Sequence, residues 1–336
     1  MTADSIDKIS AVPSGSLRAL PSDRVTFVVI GEDTDGQRLD NFLFRLAKGV
    51  PKSHVYRVIR GGEVRVNKKR VDAQTKLATG DLVRVPPMRV SDRPVTEAPA
   101  APLAADALPV LFEDRHLLVV LKPAGLASHG GSGIRHGLIE RLRATRPDEV
   151  SLELCHRLDK ETSGALIVAK TRKALVRMHD LMKEGGVEKH YLTLVKGDWV
   201  NDRQHVKFPL ERYLLPSGER RVRVSQEGLS AHSIFTLLKR YGTVSYLDVE
   251  LKTGRTHQIR VHALASGHPL VGDDKYGDFE FNKAVARGSL GVPFRRMFLH
   301  AAKLAFTHPV TGERLVIEAP LPPECEALLN ALEKGQ

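Results

Sequence analysis

Apolar residues recur along this chain with two periods, and the change from one to the other marks out its elements. Residues 25–30 form a short apolar run that predicts a strand. Leu39, Phe42, Leu43 and Leu46 then fall at i, i+3, i+4 and i+7, one face of an amphipathic helix. Pro51 breaks that helix, and Ser53 is placed to cap a second one carrying Val55, Val58 and Ile59. Gly61-Gly62 ends it, because glycine accepts the left-handed conformation that closes a helix. Val64, Val66 and Val71 flank Asn67-Lys68-Lys69 in a hairpin pattern, and Leu82, Val83 and Val85 after Gly80-Asp81 predict a closing strand.

The pattern then lapses. Pro86, Pro87, Pro94, Pro99, Pro102 and Pro109 lie in a stretch otherwise rich in Ala and acid, which reads as an extended linker. Residues 110–112 and 117–121 resume as two strands, followed by Lys122-Pro123-Ala124-Gly125 and the glycines 130, 131 and 133. That glycine loop lacks the lysine spacing of a phosphate cradle. Residues 165–170 read as a buried strand and 171–184 as a helix with Leu175, Met178, Leu181 and Met182 inward. Strands follow at 189–195, 231–239 and 243–252, and 298–306 with 314–317 predict a terminal hairpin. Thr256 is placed to cap a helix running to Ser266. Strands outnumber helices, so the expected class is α+β: a mainly antiparallel mixed sheet, preceded by a small basic α/β domain. The expected division is a flexible tail at 1–24, the basic domain at 25–88, a linker at 89–107 and a large domain at 108–330.

Charge sharpens that division. The 336 residues carry a net +11, and residues 36–90 alone hold 13 Lys or Arg against 4 Asp or Glu, so most of the excess lies in one-sixth of the chain. Such a patch is the footprint of a polyphosphate partner. No amphipathic membrane anchor accompanies it, which points to nucleic acid. No apolar run is long enough to span a bilayer, and the N-terminus lacks the apolar stretch of a secretory signal. Two cysteines, Cys155 and Cys325, build neither a disulfide framework nor a multi-cysteine zinc site. A cytoplasmic location is expected. Arg38, Arg45, Lys52, Arg57, Arg60, Lys68, Lys69 and Arg70 are the candidate RNA-contacting residues. The segment 36–85 resembles the alpha-L RNA-binding motif of a small-subunit ribosomal protein and several RNA-modifying enzymes.

Three polar clusters carry the candidate chemistry. They are His156-Arg157-Leu158-Asp159, Lys189-His190-Tyr191, and Arg255-Thr256-His257-Gln258-Ile259-Arg260-Val261-His262. The first places a carboxylate on a loop leading into a buried strand, a position where reactive groups are commonly held. The histidines at 257, 262 and 268 do not share the four-residue step that puts two metal ligands on one helical face, so no metal site is expected. In this order, across 108–322, the clusters resemble the RluA-type pseudouridine synthases. Gly272-Asp273-Asp274-Lys275-Tyr276-Gly277-Asp278 and Phe298-Leu299-His300-Ala301 resemble the RluC branch, which modifies large-subunit ribosomal RNA. The resemblance implies uridine isomerisation with no cofactor, Asp159 as the reactive carboxylate, Arg260 paired with it, and Tyr191 on the uracil ring, where it can take the C5 proton. It further implies that Arg157 enters the RNA helix where the uridine leaves, with His156, Ile259 and Arg255 contacting substrate; Ile259 fits ordinary core equally well. The implied partner is ribosomal RNA, met during assembly of the large subunit by a monomer. Whether the carboxylate attacks C1′, adds to the ring or removes a sugar proton stays open at this level. Two other readings are a ribosome-assembly clamp without chemistry and a hydrolase using Asp159 with His156.

Overall fold

The structure, a computed structural model, describes residues 11–13, 23–32, 34–47, 50–88, 108–130, 136–149 and 151–335. The expected linker, most of the expected tail and the glycine stretch 131–135 lie outside the described residues. The chain divides into two compact units, the first reaching Ala101 and the second starting at Pro102, with Arg146–Leu152 and Lys170–Lys173 grouped with the first.

The first unit contains β1 (Ala11–Pro13), β2 (Thr26–Val29), α1 (Leu39–Leu46), α2 (Lys52–Arg60), β3 (Arg65–Val66), β4 (Lys69–Arg70) and β5 (Leu82–Val85). Its sheet runs β1-β2-β5-β3-β4. The i, i+3, i+4, i+7 stripe is the buried one: Leu39, Phe42 and Leu43 are fully enclosed with Val55, Val64 and Val83. Three local expectations change. Ala11–Pro13, within the stretch read as tail, pairs in parallel with β2. Pro51, not Ser53, is the N-cap of α2, since its fixed φ already suits a helix start and Ser53 lies inside the first turn. The hairpin turns on two residues, Asn67 and Lys68, both at positive φ, the conformation that a tight two-residue turn demands.

The second unit holds β6 (Val110–Glu113), β7 (Leu117–Lys122), α3 (Leu138–Thr145), β8 (Glu153–Leu154), β9 (Ser163–Ala169), α4 (Arg172–Lys183) and β10 (Val187–Lys196). It continues with β11 (Arg203–Val206), β12 (Leu210–Leu214), β13 (Arg220–Val224), β14 (Ser233–Arg240), β15 (Val244–Leu251) and α5 (Gln258–Ala265). The last elements are α6 (Phe279–Ala286), β16 (Leu299–Thr307), β17 (Arg314–Glu318) and α7 (Pro323–Lys334). The main sheet runs β11-β14-β15-β10-β16-β9-β7-β6, with β17 on β16 and β8 on β9. Among the described residues only its β9–β16 pair is parallel, so the expected α+β class with a mainly antiparallel sheet is what the chain adopts. Every residue of β9 is buried, which is why its sequence is an unbroken apolar run rather than an alternation.

One glycine fixes how the sheet meets the candidate loop. Gly164 sits at φ +118, opposite Ala301 in the parallel pair, and a Cβ there would stand 2.3 Å from the Ala301 carbonyl oxygen. No side chain fits. Ahead of Gly164, the Thr162 N–H on the Asp159 carbonyl at 3.1 Å closes the turn that leads into β9.

Candidate active site

The loop carrying Asp159 is pinned from beneath by groups that the sequence does not advertise. The Lys122 ammonium, fully buried at the end of β7, donates to the carbonyls of Pro123 (2.8 Å), Leu126 (2.7 Å) and Lys160 (3.1 Å). Burial pushes it down to about 7, while three acceptors around it favour the charged form. Ser128 Oγ donates to the Leu158 carbonyl at 2.7 Å and accepts its N–H at 3.0 Å. His156 Nε2 accepts the Ile167 N–H at 3.1 Å, and burial, with nearby Lys189, pushes its imidazole down to about 3. His156 lines the cavity but directs a nitrogen into the sheet, so it holds the loop in place. It cannot also serve as the base of a hydrolase, which removes the support for that reading.

Sheet register brings the second cluster to the first. Tyr191 on β10 pairs with Ala301 on β16, which pairs with Gly164 on β9, so Tyr191 lies in one row with the end of the Asp159 loop. The β10–β16 register shifts between His190 and Tyr191. Burial first, and the charge of Asp159 second, push the Tyr191 phenol above its ordinary range. At neutral pH it is a protonated, neutral ring.

The third cluster enters on α5. The helix is capped by His257, not Thr256, and His257 takes a left-handed backbone. Thr256 Oγ1 instead accepts from Arg212 Nη2 at 2.7 Å. Arg260 Nη1 stands 3.6 Å from Asp159 Oδ2, and His257 Nε2 stands 3.8 Å from the same oxygen. The tightest partner of Arg260 is a residue to which the sequence alone assigns no role. Asp273 takes its Nε at 2.7 Å and Nη2 at 2.6 Å in a bidentate pair, while Asp274 takes Nη2 at 3.1 Å. The Arg260 side chain is 3% exposed and that of Asp273 0%, against 19% for Asp159. Against the pull of burial, Arg260 and the N–H groups of Tyr276 and Lys275 hold the Asp273 carboxyl below its usual range. The Tyr276 ring lies 5.0 Å from the guanidinium carbon. Arg260 is thus clamped on several sides and presents one nitrogen to Asp159. The expected pairing is present, but it is the looser part of a larger network.

Asp159, Tyr191, His257 and Arg260 line a cavity of about 570 Å³ in which Asp159 is the one acid among the lining residues and Arg157, Lys189, Arg212, Lys252 and Arg255 are further bases. Arg157 is exposed at the rim, and Ile259 is 4% exposed yet lines the cavity, so it is both wall and core. Arg255 turns its Nε to the Ser230 carbonyl at 3.0 Å. The remaining histidines face separate partners: His262 meets Ser233 and Phe208, His268 the Lys196 carbonyl. Among the described residues no group of three or more His, Cys, Asp or Glu gathers as a metal site. No helix there is long and apolar enough to cross a membrane.

On the first unit, Lys52, Arg57, Arg60, Lys68, Lys69 and Arg70 are exposed. Arg38 is exposed as well but paired within the unit, and Arg45 is half-buried. Arg38 makes a bidentate pair with Asp40 at 3.1 and 2.6 Å, and Arg45 donates to Thr34 Oγ1 at 3.1 Å while lying over the Phe42 ring.

Residues 116–265 match the family model described as RNA pseudouridylate synthase, and residues 37–83 match that of the S4 domain. Over 314 residues the chain is 50% identical to the ribosomal large subunit pseudouridine synthase C of Escherichia coli (strain K12), covering 92% of this chain and 96% of that one. The protein of the same name from Salmonella typhi is 49% identical over 312 residues, 92% of this chain and 97% of that one. Among solved structures, human RNA pseudouridylate synthase domain containing 4 superposes with a TM-score of 0.53 at 25% identity, covering 67% of this chain and 92% of that chain. Human RNA pseudouridylate synthase domain containing 1 gives 0.51 at 27%, over 69% and 97%.

Proposed function

The chain belongs to the RNA pseudouridylate synthase family, and from that premise we propose that it converts uridines of large-subunit ribosomal RNA to pseudouridine with Asp159 as the reactive carboxylate. The supporting observation is the meeting of Asp159, Tyr191 and Arg260, drawn from three separate elements, in one basic cavity. In this reading residues 25–88 are the RNA-binding module, 89–107 the linker and 108–330 the catalytic domain. The enzyme acts in the cytoplasm as a monomer, on the assembling subunit.

Isomerisation breaks the bond from uracil N1 to ribose C1′, turns the base, joins C5 to C1′ and releases the C5 proton. No electrons are gained or lost, so substrate and product have the same mass. The step asks for a carboxylate beside the sugar, and the Arg260 guanidinium offers Asp159 an opposite charge at 3.6 Å. The target base must leave its helix to reach Asp159 within the cavity. Arg157, exposed at the rim, fills the gap it leaves. Tyr191 packs on the uracil ring, and Ile259 lines the same pocket. Because its phenol enters protonated, Tyr191 takes the C5 proton only by passing its own to solvent water in the same step. Phosphate contacts from Lys52, Arg57, Arg60, Lys68, Lys69 and Arg70 place the enzyme on RNA without reading sequence.

Purified Asp159→Asn protein is expected to bind RNA and to release no tritium from C5-labelled uridine. Turnover near wild type would overturn the assignment. Ribosomal RNA from cells with and without the gene, compared by carbodiimide-dependent primer extension, tests the substrate. If no uridine loses its modification, large-subunit RNA is the wrong target.

A further inference from the structure

His257 holds a backbone conformation that local structure does not require. Its φ is +53 and ψ +21, and its side chain makes no capping bond to α5. The other non-glycine residues at positive φ among the described ones, Asn67 and Lys68, sit in a two-residue hairpin turn where that conformation is ordinary. A left-handed backbone in a residue with a bulky ring persists when its surroundings over-determine it, and such residues gather at functional sites.

The surroundings here are specific. His257 Nδ1 lies 2.8 Å from the Tyr276 hydroxyl, and the two rings meet edge-on at 5.4 Å. The Tyr276 oxygen accepts the Val222 N–H at 2.9 Å, which leaves its own hydrogen available to Nδ1. When the Tyr276 hydroxyl donates to Nδ1, the imidazole hydrogen is on Nε2, which lies 3.8 Å from Asp159 Oδ2. Burial holds the imidazole below its ordinary range despite the pull of Asp159 towards protonation, so the donor is neutral. Arg260 Nη1 approaches the same oxygen, at 3.6 Å. Oδ2 is thus the oxygen that both donors approach, and Asp159 itself lines the cavity. Catalytic contacts are often this long in the free enzyme and tighten in the substrate complex.

We propose that His257 is a positioning residue for Asp159: its Nε2–H, aimed by the Tyr276 hydroxyl, fixes the rotation of the carboxylate so that Oδ1 meets the substrate. Arg260 supplies charge and His257 supplies direction. Two donors on Oδ2, one from the N-cap of α5 and one from its first turn, restrain the carboxylate rotation more than a single donor does. The inference rests on the reading of Asp159 as the reactive group.

The test measures single-turnover pseudouridine formation at saturating RNA, RNA affinity and melting temperature on the full chain. Replacing His257→Ala is expected to slow the chemical step by about 10- to 100-fold, the loss of one hydrogen bond to a charged acceptor, with RNA affinity unchanged. His257→Gln, whose amide N–H reaches the Nε2 position, restores most of the rate, which a packing role alone would not do. Tyr276→Phe keeps the ring beside Arg260, removes the hydroxyl that sets the tautomer, and falls between the two. A wild-type rate in His257→Ala, or equal loss in the Ala and Gln variants, overturns the proposal. Should His257→Ala fail to fold, a wild-type rate in Tyr276→Phe overturns it. Asp159→Asn separates the two readings. Activity in that variant sinks the role of Asp159 itself, whereas its inactivity beside a wild-type His257→Ala sinks only the role of His257.

Discussion

The two units differ in where most of their notable charges sit, although the first also buries Asp40 against Arg38. In the first, Lys68, Lys69, Arg57 and Arg60 stand exposed around an apolar core of Leu39, Phe42, Val55 and Val83. In the second, Arg260 and Asp273 are shut inside, 3% and 0% exposed, and Lys122 is fully buried against three carbonyls. A solvated cation costs little to place and acts at a distance on a polyanion, with an influence that salt screens. A buried pair is costly to desolvate and acts over a few ångströms, but it holds its geometry. The first unit is therefore built to attract, and the second to aim. Substitutions should separate accordingly: buried charges change stability and turnover, exposed ones change affinity and its salt dependence.

The largest effect tests the buried side. Asp273→Ala removes the bidentate partner and leaves the Arg260 guanidinium enclosed, which is expected to cost about 3–5 kcal/mol. Asp274 and Asp159 remain within reach, which places the loss near the lower end. Calorimetry should show the transition of the second unit falling while that of the first stays. A change below about 1 kcal/mol, the range of a surface pair, would erase the contrast between the units.

Acid gives the next effect. His156 and His300 are pushed by burial down to about 3 and about 4. Unfolded, each titrates near 6.5. Between those values the unfolded chain binds more protons than the folded one, so stability rises with pH there and is lost as pH falls from about 6.5 towards 4. His156 accepts the Ile167 N–H, and a proton on that nitrogen would face another donor. Among its described residues the first unit has one histidine, His54, partly exposed on α2. The second unit is thus expected to lose melting temperature between pH 7 and pH 4 before the first does. An equal fall in both would mean that acid acts through surface charge.

Legibility in the sequence follows the same divide. The helix at Leu39–Leu46 and the hairpin at Asn67-Lys68 are local, and periodicity with turn chemistry is enough to find them. β9 is visible as an apolar run because a strand buried on both faces has no alternation to hide it. α3, α6 and α7 and the β12–β13 hairpin are not, since their apolar faces are short and their packing partners distant. At the site, Asp159 stands out as a carboxylate before a strand, and its meeting with Arg260 is in the structure at 3.6 Å. Asp273 belongs to a recognisable motif, yet its residue type implies no role there. Nothing in its neighbours says that it buries an arginine 13 residues back, because a bidentate pair is a fact of tertiary packing. His257 reads from sequence as one of three histidines with the wrong step for a metal, and its left-handed backbone is invisible to residue type. Ser53 and Thr256 suit helix caps on chemistry alone, but proline and histidine take those positions through backbone geometry.

The smallest structural effect tests the exposed side, and it should be the clearest in binding. Lys68 and Lys69 stand exposed at the tip of the β3–β4 hairpin, and neither side chain is part of the core. Lys68→Ala with Lys69→Ala is expected to shift stability by less than about 0.5 kcal/mol, as for surface positions generally. Lys68 has positive φ, so part of even that small shift is backbone strain and not charge. If both cations meet phosphates, removing each one should reduce the slope of log affinity against log salt by about 1, so the double variant should lose about 2. The weakening should be uniform across RNA sequences, because phosphate contacts carry no base information. Single-turnover rate at saturating RNA should not change. A slope equal to wild type would place the phosphate-binding cations elsewhere, and a reduced rate at saturation would mean that attraction and aim are not divided between the two units.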